Sequence, residues 1–388
     1  MVLVFLWSVL FGAGPVFSSG NGVKIGLWCE FLPYSRVKDY IRDMGEQDIT
    51  LILHIGPSDI GNPDLVSLLK KAEQCHVDVR AWFLLPYEED LYFCEDTLDN
   101  TEDFVNDFID WVKRDGIGIK WVVFDCEPTP STGREFFRYV REKDIVSFIG
   151  HLKKNKNEKR FKRSVHRMNK IIGRLHKEGF FVAGTSNRMI LEGLYFRNIS
   201  LQDSLNVPFT MLDWDELSFL VYRYKASQID YLGMVKRYAK IAKKYFGGKG
   251  VLDIGLIGDN RKIPENEKRM DLFGGEKKFT DLLIGIDNPL ELAEIVDIIK
   301  KNGLSRVNVY SLDGIAVSGY SLAAWFENDV PPDKRYFTHI ASIKAGLTNA
   351  SLQLIYNVLV GKQESIEEEF GMSRQKEYNP PGKNKSRL

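Results

Sequence analysis

Much of what would place this chain among metal, redox or nucleic-acid proteins is missing from it. It has four cysteines, Cys29, Cys75, Cys94 and Cys126, and no CxxC pair, the spacing expected of a thiolate zinc site. Its six histidines include no HxH and no HExxH, so a metal hydrolase lacks its clustered ligands, and no metal or cofactor is expected. Neither sign of charge is in excess: 53 Lys+Arg stand against 53 Asp+Glu. That balance argues against nucleic acid as the main partner. No apolar run is long and unbroken enough to give a stable membrane span. No glycine-rich fingerprint follows the first strand candidate, KIGLWCEFLP, as a dinucleotide-binding open sheet would usually show.

What is present begins with an address. MVLVFLWSVLFGAGPVFSSG (1–20) has an apolar core followed by small residues, the form of an export signal cleaved between about Gly14 and Asn21. It lacks the usual basic start, since the first lysine is Lys24. Export implies a secreted, periplasmic or cell-surface protein. It would also permit a disulfide, although no pairing is specified by the spacing. Asn198-Ile-Ser200 and Asn349-Ala-Ser351 fit the glycosylation pattern.

Eight short runs follow: KIGLWCEFL (24–32), ITLILHIG (49–56), VDVRAWFLLP (77–86), IKWVVFDCEP (119–128), FFVAGTS (180–186), LSFLVYRY (217–224), VLDIGLIG (251–258) and RVNVYSLDG (306–314). Each has strand length and is rich in β-branched and aromatic residues. Near-continuous apolar character suits parallel strands covered by helices. Helix signals lie between them. Asn62-Pro63-Asp64 opens one helix. Thr101-Glu-Asp opens another, with acids first and bases last, as the helix dipole favours. MVKRYAKIAKKYFGG closes on Gly247, and the helix opened by Asn288-Pro closes on Gly303. Alternation on this scale predicts an α/β fold, a (β/α)8 TIM barrel over residues 21–330, with an open doubly wound sheet as the alternative. A long insertion is expected at 129–170. Its basic run KKNKNEKRFKR (153–163) reads as a solvated helix face or, alternatively, a site for an acidic partner. A helical extension is expected at 331–373 and a disordered tail at 374–388.

In such barrels the chemistry sits at the C-terminal ends of the strands. Strand four ends in Asp125-Cys-Glu127-Pro128. Residues two apart share a face, so if Val123 points inward both carboxylates do, and Cys126 points out. Two buried carboxylates side by side raise each other's pKa, which suits general acid catalysis. Core acids paired with Arg or Lys are the bland alternative. Strand six ends in Tyr222-Arg223 and strand eight in Tyr310-Ser-Leu-Asp313. Trp82 on strand three and Tyr92 in the following loop PYEEDLYFCED (86–96) add aromatic faces, which with carboxylates suit sugar rings.

These residues resemble the family 18, chitinase-type glycoside hydrolases, in the Asp-x-Glu ending strand four, the apolar-x-Tyr ending strand six and the aromatic-Ser-Leu-Asp of strand eight. The chain is also similar to exported barrels grouped with glycoside hydrolases. The family signature Asp-x-x-Asp-x-Asp-x-Glu keeps its last two members as Asp125 and Glu127; Lys120 and Val123 occupy the earlier positions. The resemblance implies a glycosidase acting on a polysaccharide or glycan, with Glu127 as acid, Asp125 as its helper and Tyr222 beside them. Tyr310 replaces the family's strand-eight Trp. The substrate's own N-acetyl group would then be the nucleophile. Otherwise a second carboxylate is needed, from Glu30, Asp259 or Asp313, about 5–5.5 Å from Glu127 for retention or about 6.5–9.5 Å for inversion. Glu30, Trp82, Tyr92, Arg223, Asp259, Tyr310 and Asp313 are the expected substrate contacts. A non-catalytic carbohydrate-binding barrel is the main alternative. A phosphate-binding metabolic barrel using GLIGDN (255–260) and LDGIAVSG (312–319) is a lesser one.

Overall fold

The structure, a computed structural model, describes residues 22–327 except 134, 136–137, 139–144, 196–198, 224–230 and 259–282. Eight parallel strands close into one barrel in sequential order. They are β1 (Lys24–Cys29), β2 (Ile49–Ile55), β3 (Val79–Phe83), β4 (Trp121–Asp125), β5 (Phe181–Asn187), β6 (Glu216–Tyr222), β7 (Gly250–Gly255) and β8 (Arg306–Tyr310). The seam pairs β1 with β8, Trp28 opposite Tyr310. This is the TIM-barrel architecture, and the doubly wound alternative is excluded.

Alternation along the strands sorts side chains into two cores. Leu27, Leu53, Phe83, Phe124, Val182, Phe219, Ile254 and Val309 face the helices. Trp28, Ile52, Trp82, Val123 and Ala183 fill the barrel. Helices cover the outside because their apolar residues recur at helical spacing. Pro63–Gln74 is capped by Asn62, whose side chain accepts from Asp64 N. Pro289–Lys301 is capped by Asn288. The helix expected from Thr101 instead begins at Leu98 and ends at Asp115, where Gly116 adopts a left-handed conformation. Leu98 is buried and extends the apolar face by one turn.

The expected insertion at 129–170 divides in two. Helix Glu158–Lys177 contacts β5 and helix Leu98–Asp115 and is an ordinary barrel helix. Only the chain before it, including helix Ile145–Asn155, is additional. Of the basic run, Arg163 pairs with Glu95 and Arg160 bonds the backbone of Asn155 and Asp203, and beyond the run the same helix sets Arg167 against Asp99 and Lys170 against Glu102. Exposed pairs of this kind contribute about 0–1 kcal/mol each.

The N-terminal end of the barrel is closed by charge and aromatics. Buried Arg80 donates to Glu216 at 2.7 Å, and Arg306 lies 3.4 Å from the same carboxylate. The Arg80 guanidinium sits 3.9 Å over the Trp121 ring, which stacks on Phe181 at 5.0 Å. No helix among the described residues is long and apolar enough to cross a membrane. The expected signal (1–20), helical extension (331–373), tail (374–388) and both glycosylation asparagines lie outside the described residues.

Candidate active site

Strand four carries the pair. Val123 is inside the barrel, Phe124 and Cys126 pack in the outer core, and Asp125 returns to the inner face. Two backbone bonds fix this end. Cys126 N donates to Thr185 O, and Phe93 N donates to Asp125 O, both at 2.8 Å. The Phe93 ring stacks on Phe124 at 4.4 Å, so the loop after β3 is fastened to the end of β4. Burial pushes the Cys126 thiol well above its ordinary value, so it stays protonated.

Asp125 is buried, and its Oδ1 meets no hydrogen-bond donor among the described residues. Burial first, then the neighbouring Glu127, Asp253 and Glu30, hold its carboxyl well above the usual range. Glu127 is half-buried, and desolvation pushes its carboxyl up to about 7. One strand end therefore presents two carboxyl groups whose protonated forms are both favoured by burial.

The aromatic wall stands opposite. Tyr222 and Tyr310 lie 6.0 Å apart between ring centres. Burial, then the surrounding carboxylates, raises both hydroxyls well above 10.0, so they remain hydrogen-bond donors. Tyr310 donates to Glu30, which is buried at the end of β1. Trp82 and Trp28 meet edge to face at 4.8 Å. Trp82 is in register with Val123, one inward position below Asp125, and Tyr92 packs against the same inner cluster.

No protein-family model matches the chain, and no curated protein does either. Solved structures do resemble it. The GH99 endo-α-mannosidase from Bacteroides thetaiotaomicron in complex with bis-tris-propane gives a TM-score of 0.44 at 10% identity, covering 86% of this chain and 98% of that one. The Bacillus cereus spore cortex-lytic enzyme SleL gives 0.45 at 10%, covering 79% and 73%. A D-psicose 3-epimerase, in the presence of D-fructose, gives 0.36 at 13%, covering 87% and 100%. Likenesses this distant assign no chemistry to the site, which rests on its own geometry.

That geometry removes two expected substrate contacts. Asp313 is fully buried. It accepts from Glu30 N at 2.9 Å and from Phe31 N and Leu32 N at 2.8 Å each. Its carboxylate binds the turn leaving β1 and is spent there. Arg223 points away from the barrel axis, donating to Glu291 at 2.7 Å and to Gly285 O at 2.8 Å. Asp259 lies outside the described residues. Of the three candidate second carboxylates, Glu30 is the described one that stays at the mouth.

One acid was missed. Asp253 on β7 is fully buried inside the barrel. Thr185 Oγ1 donates to its Oδ2 at 2.6 Å and Asn308 Nδ2 to its Oδ1 at 2.7 Å. The signal was available: an Asp flanked by Leu252 and Ile254 in an otherwise apolar strand. No cluster of three or more His, Cys, Asp or Glu suited to a metal ion occurs among the described residues.

Proposed function

We propose that this protein is a glycoside hydrolase in which Glu127 is the general acid and Asp125 its helper. The observation that carries the reading is the pair itself, two neighbouring carboxyl groups at the C-terminal end of β4, Asp125 buried and both held above the ordinary carboxylate range by desolvation. A protonated Glu127 gives its proton to the glycosidic oxygen as the bond to the leaving sugar breaks, and its carboxylate then takes a proton from the attacking water. Asp125, buried and kept protonated in this reading, donates a hydrogen bond to the Glu127 carboxylate as that charge develops. Tyr222 offers a hydroxyl donor, while that of Tyr310 is engaged by Glu30, and the two rings offer an apolar face to the sugar. Without a second carboxylate at retaining or inverting distance, the nucleophile is the substrate's own acetamido group. With one, Glu30 is the described candidate. Residues 1–20 are taken as an export signal in the same reading, so exported material should begin between about Gly14 and Asn21, and N-terminal sequencing that returned Met1 would reject it.

The test is turnover of chromogenic and natural glycans by the purified protein and by Glu127→Gln. The variant should lose at least about 100-fold in turnover while keeping binding. Wild-type protein that binds glycans and turns over none is a carbohydrate-binding barrel, and unchanged turnover in Glu127→Gln removes Glu127 as the acid.

A further inference from the structure

The barrel interior distributes its hydrogen-bond donors unevenly between two aspartates. Asp253 receives Thr185 and Asn308, one on each carboxylate oxygen, and Trp28 and Ser218 line its other sides. Asp125 has a buried Oδ1 with no donor. Yet the two are neighbours through Thr185: that residue is the β5 register partner of Asp125 and bonds Asp253 with its hydroxyl. A buried carboxylate supplied with donors keeps its charge, whereas one without them keeps its proton.

We propose that Asp253 is a positioning residue for the strand-four pair: a buried carboxylate, kept ionised by Thr185 and Asn308, whose charge obliges Asp125 to stay neutral and to donate toward Glu127. This goes beyond the glycosidase reading and rests on it only for the catalytic meaning of the pair. The sequence also makes room for the arrangement. A Cβ on Gly26 would lie 2.2 Å from Asn308 Oδ1, so glycine at that position of β1 leaves room for the Asn308 amide, whose register partner on the other side is Asp253.

The surrounding groups act in the same direction. Glu30 from β1, Glu127 from β4, Tyr222 from β6 and Tyr310 from β8 are all acids or hydroxyls. From β2 and β3 come His54 and Trp82, which meet at 5.8 Å. The nearest strand cations, Arg80 and Arg306, are engaged with Glu216 at the far end. Among the described residues, no lysine or arginine of the strands offsets the Asp253 charge. Burial raises both aspartates; at Asp253 the hydrogen bonds from Thr185 and Asn308 oppose it, whereas at Asp125 the neighbouring carboxylates add to it.

Carbon-13 spectra of the full chain labelled at the aspartate carboxyls test this directly, with Asp125→Asn and Asp253→Asn assigning the two resonances. At neutral pH, Asp253 should show a carboxylate shift and Asp125 a carboxylic-acid shift. In Asp253→Asn the Asp125 midpoint should fall by about one pH unit or more. Thr185→Val should raise the Asp253 midpoint, and Thr185→Ser should restore it. An Asp125 midpoint unchanged in folded Asp253→Asn, or an Asp253 found protonated in the wild type, overturns the proposal. If Asp253→Asn does not fold, the wild-type spectrum and the Thr185 variants decide it. No turnover is needed for this readout, so a failure of the glycosidase reading is seen separately, in the glycan assay.

Discussion

The hydroxyl of Tyr310 donates to the carboxylate of Glu30, joining the last strand of the barrel to the first at the mouth. Glu30 is 4% exposed, so solvent cannot replace that donor. Tyr310→Phe should therefore lower stability by about 1–3 kcal/mol in urea unfolding. An unchanged midpoint would mean that the seam does not depend on this bond.

Glu127 sets a pH dependence with a definite sign. Its carboxyl lies at about 7 in the folded protein against an ordinary 4.5. Below about pH 4.5 both folded and unfolded chains hold the proton, and nothing is lost. As pH rises towards 7 the unfolded chain ionises first, so this residue increasingly opposes folding, and above 7 the penalty is constant. Glu127→Gln removes it. The variant should match wild type at about pH 4 and exceed it at about pH 8 by about 1–3 kcal/mol, the lower end reflecting water at a half-buried carboxylate. Urea denaturation at both pH values checks this. Turnover by the wild type should correspondingly fall as pH rises through about 7, where the acid loses its proton.

Glu216 answers two guanidinium groups at the closed end, Arg80 at 2.7 Å and Arg306 at 3.4 Å. Glu216→Gln removes the closest counter-charge of both, leaving Arg80 with Asp78 at 3.6 Å, and should destabilise by about 2–4 kcal/mol. Turnover of the remaining folded protein should be unaffected, because the change is at the opposite end from the strand-four pair. Reduced turnover at full folding would show that the two ends communicate.

Asp313 holds three backbone N–H groups at the end of β1. Asn in its place keeps one acceptor and turns an amide N–H towards donors. Asp313→Asn should cost about 2–3 kcal/mol, read as a lower thermal midpoint. If instead it folded normally and lost only glycan affinity, Asp313 would be a substrate contact after all.

The eight strands were legible because each is a short run whose apolar residues serve both faces at once. The inward register of Val123 and Asp125 followed from the pleat alone, and Glu127 lies just beyond the strand end. What was not legible depended on contacts far apart in the chain. Asp313 looked like a mouth residue because its partners are backbone groups 281 to 283 residues away, which no side-chain pattern announces. Arg223 follows a strand-end tyrosine, but Glu291 of another helix draws it outward. Asp253 passed as part of an apolar strand because Thr185 and Asn308, its partners, are 68 and 55 residues distant. The start of helix Leu98–Asp115 was misplaced because the acids at 102–103 mimic a first turn, whereas buried Leu98 sets the true one.

The plug of Arg80, Glu216, Arg306 and the Trp121–Phe181 stack makes the barrel a cup with one door. Nothing can pass along its axis. If the proposed glycosidase acts on a long polymer, that chain cannot be drawn through like thread through a needle; it must lie across the rim and dip an end or a bend towards Glu127. Whatever is released must leave by the same opening, so entry and exit compete for one passage.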